Sequence, residues 1–176
     1  GEVAAADYHE ASAALHRMAT MLRVSEPELV EQVDRLLAER RNHERQIESL
    51  KTRIAQAAAR DLGNQAGEKN GVKYIVAQVN DMDRQQMRSL ADTLRNMLQS
   101  AVVVLASVED GSVSIVSAVT KDLVQKLHAG KLAGSVAQAV GGKGGGRPDM
   151  AEGGGKEPSA LPAALAEVRA QVESRL

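Results

Sequence analysis

The chain has 176 residues, 43% hydrophobic and 26% charged, with a formal net charge of −1 at pH 7. Two Tyr are its only aromatics and it has no Cys, which excludes disulfides, Cys-ligated zinc and RNA reading by rows of stacked aromatic rings. A charge so near zero confines any nucleic-acid contact to a local patch rather than a global basic field.

The length suits one modest domain plus an extension, or two small units. Without Phe or Trp, the core must be built from Val, Leu, Ile, Ala and Met. No apolar run approaches the roughly 18 residues needed to cross a bilayer, and no secretory pattern opens the chain, so no membrane partner is expected. The lack of Cys fits a cytoplasmic setting. The chain opens on Gly1 rather than Met and reads as a fragment of something larger.

Residues Gly1 to Ala6 show no clear periodicity. From Asp7 to Leu22, Tyr8, Leu15, Met18 and Leu22 fall near one face of a helix. Ser25 is placed to cap the next helix, with Glu28 completing a capping box and Pro27 tolerated in the first turn. From Leu29 the pattern is a heptad: Leu29, Val33, Leu36, Arg40, His43, Ile47, Leu50, Ile54 and Ala57. About thirty residues of helix span roughly 45 Å, and so narrow a seam asks for a partner helix. That partner is either Asp7–Leu22 folded back or a second chain. Arg40 and His43 interrupt the seam. They leave open a wet, register-setting middle section or a patch in which Arg40, Arg41 and Arg45 touch RNA backbone.

Residues 61–71 are rich in turn formers. They suggest a helical or coiled-coil segment over 1–62, a linker over 63–71 and a globular domain over 72–176. Val72–Val79 reads as a strand and Asp81–Leu98 as an amphipathic helix with Met87, Leu90, Leu94, Met97 and Leu98 inward. Ala101–Val108, apolar and β-branched, reads as a buried strand. Glu109–Ser112 is a hairpin signal leading to the strand Val113–Val119. The first two strands and their helix make a parallel crossover unit. Short helices are expected over Lys121–Leu127, ending near Gly130, and over Ala133–Val140. Pro158 and Pro162 introduce a closing helix, Ala163–Leu176, whose Leu165, Val168 and Val172 pack on the sheet. The predicted class is α/β (α+β): a long-helix segment, then a small domain with a mainly three-stranded sheet packed by helices.

No catalytic constellation emerges. His9, His16, His43 and His128 share no metal-ligand spacing, and His128 reads as a satisfied surface residue near a helix end. There is neither a Gly-x-Ser-x-Gly elbow nor a Walker A loop. The stretch 141–155, GGKGGGRPDMAEGGG, is different. It holds eight of the fifteen glycines. As a bare run it reads as a flexible linker. Its exposed amides beside Lys143 and Arg147 also suit a phosphate or carboxylate. Gly141, Gly142, Gly144, Gly145 and Gly146 would let backbone approach closely, with Lys156 a further cation. Asp149 competes by pairing with Arg147. Arg147 to Met150 is therefore either a loop brace with Met150 in the core or part of a binding surface.

This stretch, with VVLASVEDGSVSIVSAVTKDLVQKLHAGKLAGSVAQAVGGKGGG before it and LPAALAEV after it, resembles the C-terminal domain of alanyl-tRNA synthetases. That domain is related to the one following the catalytic domain in DHH-family phosphoesterases. The resemblance is close over the second half of the chain and looser over the helical first half. It implies a non-catalytic module that binds tRNA-Ala and dimerises, helping couple aminoacylation to editing. ATP and zinc would then belong to upstream domains of the same parent chain, with no cofactor in this piece. It points to Gly141–Gly146, Arg147 and Lys156 for RNA, with Lys143 foremost. Leu29, Val33, Leu36, Ile47, Leu50 and Ile54 would serve the dimer. Two alternatives stand beside it: the accessory substrate-binding domain of a DHH-type phosphoesterase, and a purely structural dimeriser.

Overall fold

A computed structural model describes residues 2–176, with side chains from Tyr8 onward; Gly1 lies outside the described residues. The chain divides into two compact units between Leu50 and Lys51.

In the first unit, helix α1 (Glu2–Leu22) starts five residues before the expected Asp7. It ends where Arg23 turns left-handed (φ 56°). There the Val24 N–H reaches the Ala19 carbonyl at 3.0 Å, and the Arg23 N–H the Thr20 carbonyl at 3.2 Å, a Schellman-type stop. The expected box forms next: the Glu28 carboxylate accepts from the Ser25 backbone N–H at 3.0 Å and also from its hydroxyl. Helix α2 (Leu29–Asn64) then runs 36 residues. Ala19 and Leu29 are buried, whereas Val33, Leu36, Ile47, Leu50 and Ile54 are exposed. Helix α1 therefore covers the heptad seam at Leu29 and leaves it open from Val33 onward. It also leaves an apolar groove of about 420 Å³ lined by Leu15, Met18, Met21, Leu29, Val30 and Val33. Arg40 pairs with Glu44 at 2.8 Å one turn along the helix.

The second unit is built on a sheet of six strands, not three. They are β1 (Gly67–Lys69), β2 (Val72–Gln78), β3 (Ala101–Glu109), β4 (Ser112–Val119), β5 (Lys143–Gly146) and β6 (Met150–Gly155). Their order is β1-β2-β3-β4-β6-β5. The expectation fell short because most of β5 and half of β6 are glycine, which has no side chain to advertise a strand, and β1 (Gly-Glu-Lys) has no apolar residue. β2 and β3 pair in parallel, as expected, from Lys73↔Ala101 to Gln78↔Ala106. All other pairings are antiparallel. Two hairpins close through consecutive left-handed residues, Asn70 (φ 52°) with Gly71 (φ 78°) and Asp110 (φ 47°) with Gly111 (φ 73°), the dihedral pattern of I′ turns. Within the stretch expected as a linker, α2 thus continues to Asn64 and β1 begins at Gly67.

Helix α3 (Arg84–Leu98) crosses from β2 to β3. Asp83 caps it reciprocally with Gln86, both bonds at 2.8 Å. Its Met87, Leu90, Ala91 and Leu94 are fully buried against Val103, Leu105, Val116 and Met150, with Ala59 of α2 in the same cluster. Met97, expected inward, is exposed. Across the sheet lie α4 (Ala129–Ala139) and α5 (Leu161–Arg175). Leu132, Val136, Leu165, Val168 and Val172 there meet Val102, Val104 and Ile115. Each such side chain stabilises the fold by about 1.5–3 kcal/mol on removal from water.

Lys121–Leu127 is not a helix. The chain makes successive tight turns there, Leu123 N–H to Thr120 at 2.9 Å and Lys126 N–H to Leu123 at 2.9 Å, which bury Leu123 and Leu127. Gly130 lies in the first turn of α4 rather than ending a helix, because β5 passes too close for any side chain. A Cβ there would stand 2.8 Å from the Gly146 carbonyl oxygen. At the far edge, α5 is tied to the β1–β2 hairpin by Arg169 to the Val76 carbonyl (3.0 Å) and the Tyr74 hydroxyl to Glu173 (2.7 Å). That bond to the Glu173 carboxylate, with smaller help from desolvation, holds the Tyr74 phenol above its usual pKa.

Candidate nucleic-acid interface

The glycine stretch is a hairpin on the sheet edge. Gly141 (φ 70°) turns the chain out of α4, and β5 pairs with β6 from Lys143↔Gly154 to Gly146↔Ala151. Its open end is pinned by Gly142 N–H to Ala137 (2.8 Å) and by the Lys156 and Glu157 N–H groups, both on the Val140 carbonyl (2.9 and 3.0 Å).

All of these glycines but one answer to close packing, and Gly144 and Gly153 answer to helix α4 in particular. Helix α4 presents Gly130, Ala133, Gly134 and Ala137 to the hairpin. A Cβ on Gly144 would stand 2.8 Å from the Ala133 carbonyl, and one on Gly153 would stand 3.1 Å from the Ala137 methyl. Gly145 is the exception, with nothing within 4 Å of its Cβ position.

Strand alternation decides which groups share the open face. Gly144 and Gly153 are partners on the α4 side, so Lys143↔Gly154 and Gly145↔Glu152 belong to the α3 side. Three arginines of α3 reach β6 and the turn before it. Arg84 donates to the Gly153 carbonyl (3.4 Å), Arg88 to the Glu152 carboxylate (3.2 Å), and Arg95 to the Asp149 carbonyl (3.4 Å). Asp149 also pairs with Arg147 at 3.4 Å and with Arg95 at 3.7 Å. A recess of about 310 Å³ lies here, lined by Arg88, Gly145, Gly146, Arg147, Met150 and Glu152. The result is an open shelf of bare backbone with cations around it, suited to a phosphodiester.

Of the residues singled out in the sequence, Lys143, Gly145 and Arg147 lie along β5 and its turn. Lys143 is exposed and has no side-chain partner among the described residues. Gly142, Gly144 and Gly146 lie where a Cβ would strike neighbouring backbone, and Gly141 is a turn. Lys156 is exposed beyond β6, at the end opposite Arg147. Asp149 pairs with Arg147 and Met150 is buried, as a loop brace requires, while Arg147 stays exposed. Arg84 and Arg88 were missed. Their spacing, with Arg95, marks one stripe of α3, but only the register shows what it faces. His128 serves as a cap, its Nδ1 accepting the Gly130 N–H at 3.0 Å. Among the described residues no cluster of His, Asp or Glu is arranged to hold a metal, and no helix is long and apolar enough to cross a membrane.

The DHHA1 domain family matches residues 71–174. Over all 176 residues the chain is 59% identical to alanine–tRNA ligase of Solibacter usitatus (strain Ellin6076), of whose length it spans 20%. In three dimensions it resembles the C-Ala domain from Aquifex aeolicus alanyl-tRNA synthetase. That likeness has a TM-score of 0.57 at 28% identity and covers 61% of this chain and 97% of that one.

Proposed function

Since the chain belongs to the DHHA1 domain family, we propose that it is the C-terminal tRNA-binding and dimerisation module of an alanine–tRNA ligase. In this reading it holds tRNA-Ala for upstream aminoacylation and editing domains of the same parent chain, in the cytoplasm, and needs no cofactor of its own. The 59% identity to such a ligase along the whole chain supports the parentage.

For RNA contact, the observation that carries the reading is Lys143, exposed on a glycine strand on the same side as Arg84 and Arg88. Phosphates docking there would meet cations above and bare amides below. Lys143→Ala is the test, with tRNA-Ala binding followed across a salt series. Loss of one phosphate contact weakens binding and makes the slope of log K against log salt shallower by about 0.7–0.9. Unchanged affinity and slope would remove the hairpin from the interface.

For dimerisation, the support is the exposed seam Val33, Leu36, Ile47, Leu50 and Ile54, together with the apolar groove of the first unit. A second copy supplies matching heptads, which is what such a seam requires.

A further inference from the structure

The arginine best placed on the shelf is already engaged. Arg88 meets Glu152 through one nitrogen, 3.2 Å from one carboxylate oxygen, and the two side chains are 52% and 34% exposed. Glu152 sits opposite Gly145 in the register, on the α3 side of the hairpin, and the face of Gly145 itself is open. The Glu152 carboxylate holds the Arg88 nitrogen that a phosphate docking beside Gly145 would take. Asp149 plays no equivalent part. Its carboxylate is shared by Arg147 and Arg95, and Arg95 is further held by Asp92 at 2.8 Å and by the Asp149 carbonyl.

The geometry points to Glu152 as a built-in competitor: an intramolecular carboxylate that holds Arg88 in place of RNA phosphate and is displaced when RNA docks. The inference rests on the RNA-binding reading of the hairpin. An exposed single-contact pair is weak, about 0–1 kcal/mol. A phosphodiester offering two oxygens to the guanidinium fork is the better partner. For a lone phosphate the exchange is close to balanced, because the freed Glu152 carboxylate stays beside the incoming anion and repels it. The exchange becomes favourable for an RNA that also reaches Lys143, Arg84 and Arg147. Glu152 thereby imposes one fixed penalty on every anion that takes Arg88, which a short anion cannot recover and an RNA engaging the whole shelf can.

The test is tRNA-Ala and single-stranded poly-U binding across a salt series, for the wild type, Glu152→Gln, Arg88→Ala and the double variant. Gln keeps an oxygen for Arg88, so the clasp of α3 on β6 survives while the charge is lost. Glu152→Gln is expected to tighten tRNA-Ala binding about two- to fivefold, and poly-U binding by a similar factor where it takes Arg88. It should steepen the salt slope by up to about one unit. The gain should vanish when Arg88 is Ala, and should be absent in Glu10→Gln, which adds the same charge in the first unit. Affinity unchanged or weakened in Glu152→Gln overturns the inference, as does a gain that survives Arg88→Ala or appears equally in Glu10→Gln. If Lys143→Ala weakens binding but Glu152→Gln does nothing, only this inference falls. If neither the wild type nor Glu152→Gln binds RNA, the RNA-binding reading falls with it. Binding by Glu152→Gln alone would be the strongest support.

Discussion

A Cβ placed on Gly142 would stand 1.8 Å from the carbonyl oxygen of Gly154, across the open end of the β5–β6 hairpin. Backbone is the obstacle there, and it cannot rotate away as a side chain does. At Gly145, three residues on, a Cβ meets nothing within 4 Å. Gly142→Ala should therefore cost roughly 1–3 kcal/mol of stability as overpacking, while Gly145→Ala should stay within about 0.5 kcal/mol. Denaturant unfolding of the two variants measures both. Equal losses would mean that the glycines serve something other than close packing.

The same Gly145→Ala variant separates folding from binding. Its methyl projects onto the α3 side of the hairpin, beside Glu152 and over the recess lined by Arg88 and Arg147. A stable protein with tRNA-Ala affinity reduced severalfold is expected if RNA approaches the bare strand. Filter binding or fluorescence anisotropy reads this directly. Wild-type affinity would place the RNA away from that strand.

What could be read ahead of the structure follows from where side chains carry the signal. β2, β3 and β4 declare themselves through runs such as Val102-Val103-Val104-Leu105, and α3 through Asp83 and its buried Met87, Leu90 and Leu94. Asn70-Gly71 is the same turn signal as Asp110-Gly111. It reads as a linker because its β1 flank, Gly67-Glu68-Lys69, has no apolar alternation. β5 was invisible for a stronger reason: apart from Lys143 it has no side chains at all, and its place under α4 is specified by the small residues Gly130, Ala133, Gly134 and Ala137 some ten positions earlier. The shelf was half legible, since Lys143 and Arg147 stand within the motif. Arg84 and Arg88 lie some sixty residues before it and are brought to it only by the strand order.

The heptad seam yields its own prediction. Ile47 and Leu50 are exposed on α2, each about half accessible, and neither takes part in the cores of the second unit. Ile47→Glu and Leu50→Glu should convert a dimer to a monomer in analytical ultracentrifugation, because two charges facing each other across a seam cannot pack. The unfolding midpoint of the α/β unit, at concentrations where the variants are monomeric, should be close to that of dilute wild type. A wild type already monomeric at tens of micromolar would refute the assignment of the seam to self-association.

Acid sensitivity is the last test, and its sign is fixed by Asp122. The Ser100 hydroxyl, first, and the Thr120 side chain, second, hydrogen-bond its carboxylate and hold its pKa below the ordinary 3.8. A group whose pKa is depressed on folding stabilises the fold above its unfolded value, and that contribution drains away as pH falls through the folded value. The bonds tie the start of β3 to the turn after β4, so the loss is expressed in the second unit. Asp122 is exposed, and solvent keeps the effect small. Asp122→Asn should cost a little stability at neutral pH and flatten the decline below about pH 4, where the wild type falls more steeply. Urea unfolding at a series of pH values checks this. Parallel wild-type and variant curves down to about pH 2 would show that the pair with Ser100 contributes nothing in solution.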